Sequence, residues 1–99
     1  MKELTSTERK VLRGLAHHLA PVVRIGHESL TDNVVKAVAE ALATHELIKI
    51  KFVGSKEEKD SIADSLCQRA DCALAGIVGN VGIFYRENPD KEKSKKLLK

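Results

Sequence analysis

Basic side chains recur at helical spacing near the start of the chain. Arg9 and Arg13 are four residues apart and so share one side of a helix. Lys10 and His17 lie beside them, and no acidic residue interrupts this side. Like charges at this spacing slightly destabilise a helix unless an outside group compensates them. The pattern favours a surface that contacts phosphate groups, and an ordinary solvated helix face is the alternative.

A second group of cations lies on two segments with strand-like patterns. Lys49 and Lys51 alternate with apolar residues in segment 47–53, and Arg24 lies in the β-branched segment 21–26. On a strand, residues two apart are separated by about 6.6 Å, close to the spacing of successive phosphates in a nucleic acid strand. The alternative is that these lysines protect an edge strand from aggregation.

A candidate anion site follows the first of these segments. Gly26, His27 and Ser29 precede a predicted helix, whose first N–H groups lack partners within the helix and favour an anion. An ordinary connection between a strand and a helix is the alternative. The later segment 79–82 reads GNVG, but it joins two predicted strands and is interpreted as a hairpin turn. Arg86 follows Tyr85 on the last predicted strand. Successive side chains on a strand point to opposite faces, so only one of these two can share the face of Lys49 and Lys51.

The motifs of common enzymes do not occur in the sequence. It has no Walker loop, dinucleotide fingerprint, HExxH zinc motif or serine elbow. His17 and His18 are adjacent and diverge on a helix, so they do not form a metal pair. Cys67 and Cys72 have no second pair of ligands and are interpreted as small buried residues. We therefore expect no catalytic residue, no metal and no cofactor.

The composition fits one globular domain with a polyanionic partner. Of the 99 residues, 42% are hydrophobic and 31% are charged. The net charge is only +3, so the clustering of the cations matters more than their number. Two Phe and one Tyr are too few for a base-stacking platform, which favours contact with the backbone of folded RNA. The chain shows neither a secretory signal nor a run of membrane-spanning length, which predicts a cytoplasmic protein.

Hydrophobic periodicity predicts a single α/β domain with the order α-β-α-β-α-β-β. The helices are expected over 5–19, 31–45 and 55–69, and the strands over 21–26, 47–53, 73–78 and 82–87. Two crossovers and a final hairpin indicate a four-stranded mixed sheet. Helices packed mainly on one face would leave the lysine side of the sheet open. The domain is predicted over 1–88, and the lysine-rich segment 89–99 is predicted to be a mobile basic tail.

Three sequence motifs together resemble a known family. They are L-x-G-L-A-H-x-L-x-P-V at 12–22, H-E-L-I-K-I-K at 45–51 and Y-R at 85–86. On these motifs the chain resembles the YhbY-like bacterial members of the CRM-domain family over nearly its whole length. The resemblance implies a fold similar to the C-terminal domain of bacterial initiation factor three. It also implies RNA binding and association with precursors of the large ribosomal subunit.

The signature loop of that family is a GxxG sequence between the first strand and the second helix. The matching positions here are Gly26-His27-Glu28-Ser29, so a serine replaces the second glycine and a glutamate adds negative charge. By its place in the chain this is the KH-like loop of the family, which is thought to approach the RNA backbone.

The sequence therefore predicts a monomeric RNA-binding protein, not an enzyme, that acts on 23S-type rRNA in large-subunit assembly. The predicted RNA-binding residues are Arg9, Lys10, Arg13, Arg24, Gly26, His27, Ser29, Lys49, Lys51 and Arg86. The alternative is a protein-interaction module that docks on a ribosomal protein or an assembly factor. Because phosphate contacts release counterions, a strong salt dependence of binding would favour RNA.

Overall fold

The computed structural model describes residues 3–26, 30–53 and 59–88, and their elements follow the predicted order. The three helices are α1 (Ser6–Ala16), α2 (Asp32–His45) and α3 (Lys59–Ala70). The four strands are β1 (Pro21–Ile25), β2 (Leu47–Phe52), β3 (Ala73–Val78) and β4 (Val81–Tyr85). Helix α1 ends three residues before the predicted end at residue 19. The predicted start of the third helix and the predicted tail lie outside the described residues.

Side-chain caps fix where the first two helices begin. Thr5 and Glu8 form a capping box, in which each side chain accepts a hydrogen bond from the backbone N–H of the other, at 3.1 and 3.0 Å. Thr31 caps α2 by accepting from the Val34 N–H at 3.2 Å. Helix α2 ends at Glu46, whose φ of 62° turns the chain directly into β2. These caps set the rotation of the side chains that follow.

The strands form one mixed sheet in the order β1-β2-β4-β3. Strands β1 and β2 are parallel, and β4 runs antiparallel to both β2 and β3. The predicted fold class is therefore confirmed. A register shift interrupts the pairing of β3 with β4 between Leu74 and Gly76.

The sheet separates two hydrophobic clusters. The larger lies under α2 and α3 and includes Ile25, Val38, Leu42, Ile48, Ile50, Phe52, Leu66, Cys72 and Phe84. The smaller lies under α1 and includes Leu4, Leu12, Ala16, Leu47, Ala73, Ala75, Ile83 and Tyr85. We expected the helices mainly on one face, but α1 packs on the opposite face because Leu12 and Ala16 bury their side chains there.

The alternation predicted for β2 is confirmed. Ile48, Ile50 and Phe52 are buried with α2 and α3, and Lys49 and Lys51 lie on the face of α1. That face is only partly open, because α1 packs against β3, β4 and β2.

Candidate nucleic-acid interface

Three cations lie together on the α1 face of β1 and β2, and we call them the sheet cations. Arg24 is directly opposite Lys51 in the parallel pairing, and Lys49 is opposite Pro21. Arg24 and Lys51 are exposed, and Lys49 is half-buried. Paired strands are about 4.8 Å apart, so the side chains of Arg24 and Lys51 start side by side. The sequence predicted Arg24 on a strand next to the one that carries Lys49 and Lys51, and the pairing shows that Lys51 is the residue opposite it.

Lys49 connects the sheet cations to the end of α1. Its Nζ donates to the carbonyl oxygen of His17 in the turn after the helix, at 3.4 Å. Carbonyl groups at the end of a helix carry partial negative charge, which favours a nearby ammonium group. Lys49 therefore has a partner within the protein, and Arg24 and Lys51 are the more accessible members of the group.

The two arginines of α1 are engaged by the fold itself. Arg9 is half-buried and donates to the Leu4 carbonyl oxygen at 2.9 Å and to the Ser6 Oγ at 3.2 Å. Arg13 crosses to the sheet, where its Nη1 donates to the carbonyl oxygen of Ala75 at 3.0 Å. The predicted phosphate-binding side of α1 is thus used in part to hold the helix in place.

Gly76 explains how Arg13 reaches β3. A Cβ atom at this position would lie 2.9 Å from the Arg13 Cδ, closer than packed atoms allow. The glycine therefore leaves room for the arginine stem to cross the strand. The sequence analysis missed this contact, although a glycine within a strand pattern is a known sign of close approach or of a bulge.

Lys10 and His17 lie on the outer side of α1 and are exposed. His17 lies in the turn after the helix, and its carbonyl oxygen accepts from Lys49. Lys10, Arg24 and Lys51 are the predicted RNA-binding cations whose side chains are exposed without a hydrogen bond to the protein among those described above.

The loop after β1 is only partly described. Gly26 is exposed, and a Cβ atom placed on it would have no neighbour within 4 Å. Its φ is not positive, so neither packing nor backbone conformation requires glycine there. His27 and Ser29, also predicted to bind RNA, lie outside the described residues. On the other side of the gap, Thr31 already satisfies one N–H group of the first turn of α2.

Arg86 is placed at the other end of the strands. Its guanidinium donates to the carbonyl oxygens of Ala70 and Asp71 at the end of α3, the latter at 3.0 Å. Its backbone N–H donates to the Glu46 carbonyl oxygen at 2.8 Å. Arg86 therefore caps α3 and lies about 13 Å or more along the strands from Lys51. The structure does not bring it into the group of sheet cations.

Tyr85, the neighbour of Arg86, is the residue that shares the face of the lysines. It is buried under α1 beside Leu47 and Ile83. Burial, together with the carboxylates of Glu46, Glu87 and Glu8, raises the pKa of Tyr85 to about 12. The ring is therefore part of the core and is not available for stacking.

An apolar groove adjoins the sheet cations where β1 and β2 begin. Its volume is about 460 Å³, and its lining consists of Leu15, Leu19, Ala20, Val22, His45, Leu47 and Ile48. At helical spacing Leu15 and Leu19 share an arc with Leu12 and Ala16, which are buried, yet the exposed fractions of Leu15 and Leu19 are 45% and 41%. His45, at the end of α2, is exposed.

The two cysteines lie apart from this surface. Cys72 is buried and Cys67 is half-buried. A hydrogen bond between the two thiols and burial raise the pKa of Cys72, and the same bond lowers the pKa of Cys67. Within 3–26, 30–53 and 59–88, no group of three or more metal-binding side chains is found. In that part of the chain, no helix is long and apolar enough to cross a membrane.

The chain is similar to known proteins over most of its length. The "Probable RNA-binding protein YqeI" of Bacillus subtilis is 33% identical over 90 residues, which cover 90% of this chain and 94% of the relative. The "RNA-binding protein" of Haemophilus influenzae is 35% identical over 91 residues, covering 91% and 92% of the two chains. The solution structure of protein SAV1595 from Staphylococcus aureus matches with a TM-score of 0.80 at 27% identity, covering 91% and 95%.

The family comparison spans almost all of the described residues. The model of the "CRS1 / YhbY (CRM) domain" matches residues 4–86, which include α1, the whole sheet and Arg86. The resemblance inferred from the three sequence motifs is thereby confirmed, and the chain belongs to the CRS1/YhbY (CRM) domain family.

Proposed function

We propose that this chain is an RNA-binding protein that holds the phosphate backbone of structured ribosomal RNA during assembly of the large ribosomal subunit. The names of its relatives support RNA binding, and we assign it binding, not catalysis, on the same ground. The family resemblance supports a role on 23S-type rRNA in precursors of the large subunit. We propose in addition that the protein acts as a monomer in the cytoplasm.

The pairing of Arg24 with Lys51 is the observation that carries this proposal. Both side chains are exposed and start side by side on adjacent strands. Lys49 lies one step back along β2, about 6.6 Å from Lys51, so the group matches neighbouring phosphates. Phosphate contacts of this kind fix the position of a nucleic acid without reading its sequence.

The aromatic residues favour contact with the backbone of folded RNA. Phe52, Phe84 and Tyr85 are the only aromatic residues of these types in the chain, and all three are buried. The protein therefore exposes no Phe, Tyr or Trp ring on which successive bases of a single strand could stack. Structured RNA presents a continuous phosphate surface to which rigidly held cations can bind.

The other predicted residues are proposed to act in two ways. Lys10 and Gly26, together with the predicted residues His27 and Ser29, would add further contacts to RNA. Arg9, Arg13 and Arg86 would mainly hold α1 and α3 in place, because each already donates to backbone carbonyls. They would still add to the positive potential that attracts RNA.

A salt titration with matched variants tests this proposal. The affinity for helical rRNA fragments should fall with salt at a log–log slope of about −3 to −6, as expected for four to six phosphate contacts. Lys51→Gln should lower the affinity and make the log–log slope less negative, by the amount that one phosphate contact contributes. Lys36→Gln, the same charge change at an exposed position on α2, should have little effect.

Crosslinking in cells tests the role in the ribosome. The protein should crosslink to rRNA of precursor large subunits, and sequencing of the attached RNA would identify the segment. An affinity that does not respond to salt, or equal effects of the two lysine variants, would contradict phosphate binding at the sheet cations. Such a result would favour docking on a ribosomal protein or an assembly factor instead.

A further inference from the structure

The apolar groove is lined by side chains that the rest of residues 3–26, 30–53 and 59–88 leaves exposed. The exposed fractions of Leu15, Leu19 and Val22 are 45%, 41% and 52%. These three side chains come from α1, the segment after it and β1, and they meet around one depression. Single exposed apolar residues are ordinary, but several converging on one groove mark a binding surface. The groove therefore has the character of a ligand site.

The surroundings of the groove select the charge of its occupant. No residue of the lining carries a carboxylate, and its one polar side chain is the imidazole of His45. Lys49 follows the lining residue Ile48 and faces the end of α1, where His17 and His18 are exposed. An apolar depression with a lysine and two imidazoles along one side fits a ligand that has a flat apolar body and an attached anion.

On these grounds we propose that the groove takes one unpaired base, turned out of the RNA that is bound at the sheet cations. The inference rests on the proposed function and adds a contact with a base to a site otherwise made for phosphates. Leu15 and Val22 would contact the faces of the base, and His45 could form a hydrogen bond with its edge.

Distances along the strands agree with the size of one nucleotide. Lys49 and Lys51 are about 6.6 Å apart along β2. Lys49 is paired with Pro21, the neighbour of Val22, and Lys51 with Arg24, and the register of β1 with β2 shifts between Pro21 and Val23. A base beside Val22 would thus have one phosphate near Lys49 and the next near the Arg24–Lys51 pair. The volume of about 460 Å³ is in the range of sites for small ligands and accepts one base with its sugar.

This arrangement differs from a stacking platform for single strands. The groove offers room for one base between aliphatic side chains, and the aromatic residues remain in the core. It therefore fits a bulge or an internal loop within helical RNA, where a single nucleotide is free to leave the stack. RNA containing such a nucleotide is expected to be preferred over a fully paired duplex.

Two RNA hairpins that differ in one base provide the test. Both carry a single-nucleotide bulge; one has adenine at the bulge and the other has an abasic nucleotide with the same phosphates. The adenine hairpin should bind about tenfold more tightly, which corresponds to about 1.4 kcal/mol. A 2-aminopurine placed at the bulge should change its fluorescence on binding.

Protein variants locate the contact. Leu15→Ser should remove the preference for the adenine hairpin and leave the affinity for the abasic hairpin unchanged. Val78→Ser, at a 61% exposed valine outside the groove, should keep the preference. Arg24→Gln should weaken both hairpins by the same factor. Thermal melts show whether each variant is folded, and the comparison of hairpins on the unchanged protein does not depend on any variant.

Each failure has a distinct meaning. Equal, salt-dependent binding of the two hairpins would overturn the base-binding groove and leave the proposed function intact. No binding of either hairpin would overturn both. If the hairpins bind equally and Leu15→Ser instead abolishes binding to a purified large-subunit protein, the groove belongs to a protein partner and the proposal is wrong.

Discussion

The two basic regions of this protein look alike in sequence and differ in the structure. On α1, Arg9 and Arg13 both donate to backbone carbonyl oxygens of the protein. On the sheet, Arg24 and Lys51 lie in register on adjacent strands and are exposed. An arginine that already holds a carbonyl must give up that bond to contact a phosphate, so it gains less from the RNA. The spacing of charges in the sequence shows where RNA could bind. Cations that already donate to backbone carbonyl oxygens are less able to contact phosphate, and the structure shows which cations these are.

Reversing the charge of the sheet cations should produce the largest effect. The double variant Arg24→Glu and Lys51→Glu should lower RNA affinity at least about 30-fold, about 2 kcal/mol, because repulsion replaces attraction at two adjacent positions. Its melting temperature should stay within a few degrees, since exposed substitutions rarely cost more than about 0.5 kcal/mol. Filter binding and a thermal melt measure both. Unchanged RNA affinity in the folded variant would remove the sheet from the binding site.

Arg13 should show the opposite behaviour. Arg13→Met keeps an apolar stem over Gly76 but loses the hydrogen bond to the Ala75 carbonyl, and should lower the free energy of unfolding by about 1 kcal/mol. Its RNA affinity should change less than that of Arg24→Met. Lys10→Met, at an exposed position of the same helix, is the control for stability. The comparison is wrong if Arg13→Met leaves urea unfolding unchanged and weakens RNA binding more than Arg24→Met. In that case α1 provides the RNA-binding cation and Arg13 does not support the fold.

The contribution of Tyr85, which is buried between α1 and the sheet, to the stability of the protein should decrease at alkaline pH. The pKa of Tyr85 is about 12 in the folded protein, compared with its ordinary value of 10. Below pH 10 both states keep the phenol proton, and the contribution of Tyr85 to stability is complete. Between pH 10 and 12 the unfolded chain loses this proton first, so stability decreases as the pH rises.

Comparison with Tyr85→Phe isolates that effect. Relative to pH 8, the native protein at pH 10.5 should lose up to about 1 kcal/mol more unfolding free energy than Tyr85→Phe. Parallel pH dependences of the two proteins would show that the tyrosine is not held in a buried site under α1.

Gly26 gives the smallest expected effect. Gly26→Val should leave the melting temperature almost unchanged, because no atom lies within 4 Å of the added Cβ and the φ is not positive. If RNA approaches the loop, the larger side chain should lower the affinity about threefold, or about 0.6 kcal/mol. A folded variant with native affinity would confine the RNA contact to the sheet and α1.

The parts of the fold that depend on periodicity were predictable from the sequence. The alternation in β2 placed Lys49 and Lys51 on one face, and the turn residues at Gly79 and Asn80 marked the final hairpin. The order of the elements then required a mixed sheet. The position of α1 was not predictable in this way, because an amphipathic helix can cover either face of a sheet whose two sides are both partly apolar.

Long-range pairing also limited the prediction of the site. The pairing of Arg24 with Lys51 depends on the register of two strands, which the sequence places near each other without aligning. The contact of Arg13 with Ala75 joins residues 62 positions apart. Only Gly76 hinted at it, as a glycine inside a strand pattern. The groove was missed because α1 buries Leu12 and Ala16 along a narrow strip, which leaves Leu15 exposed.

The position of α1 also has a consequence for the order of folding. Its buried side packs on Ala75, Ile83 and Tyr85, all from the last quarter of the described chain. Although α1 is synthesised before the strands, only Leu47 of β2 is available to it until β3 and β4 supply the rest of the smaller cluster. Contacts between residues so distant in sequence are slow to close. We therefore expect α1 to attach in a late step of folding, after α2, α3 and the sheet have enclosed the larger cluster.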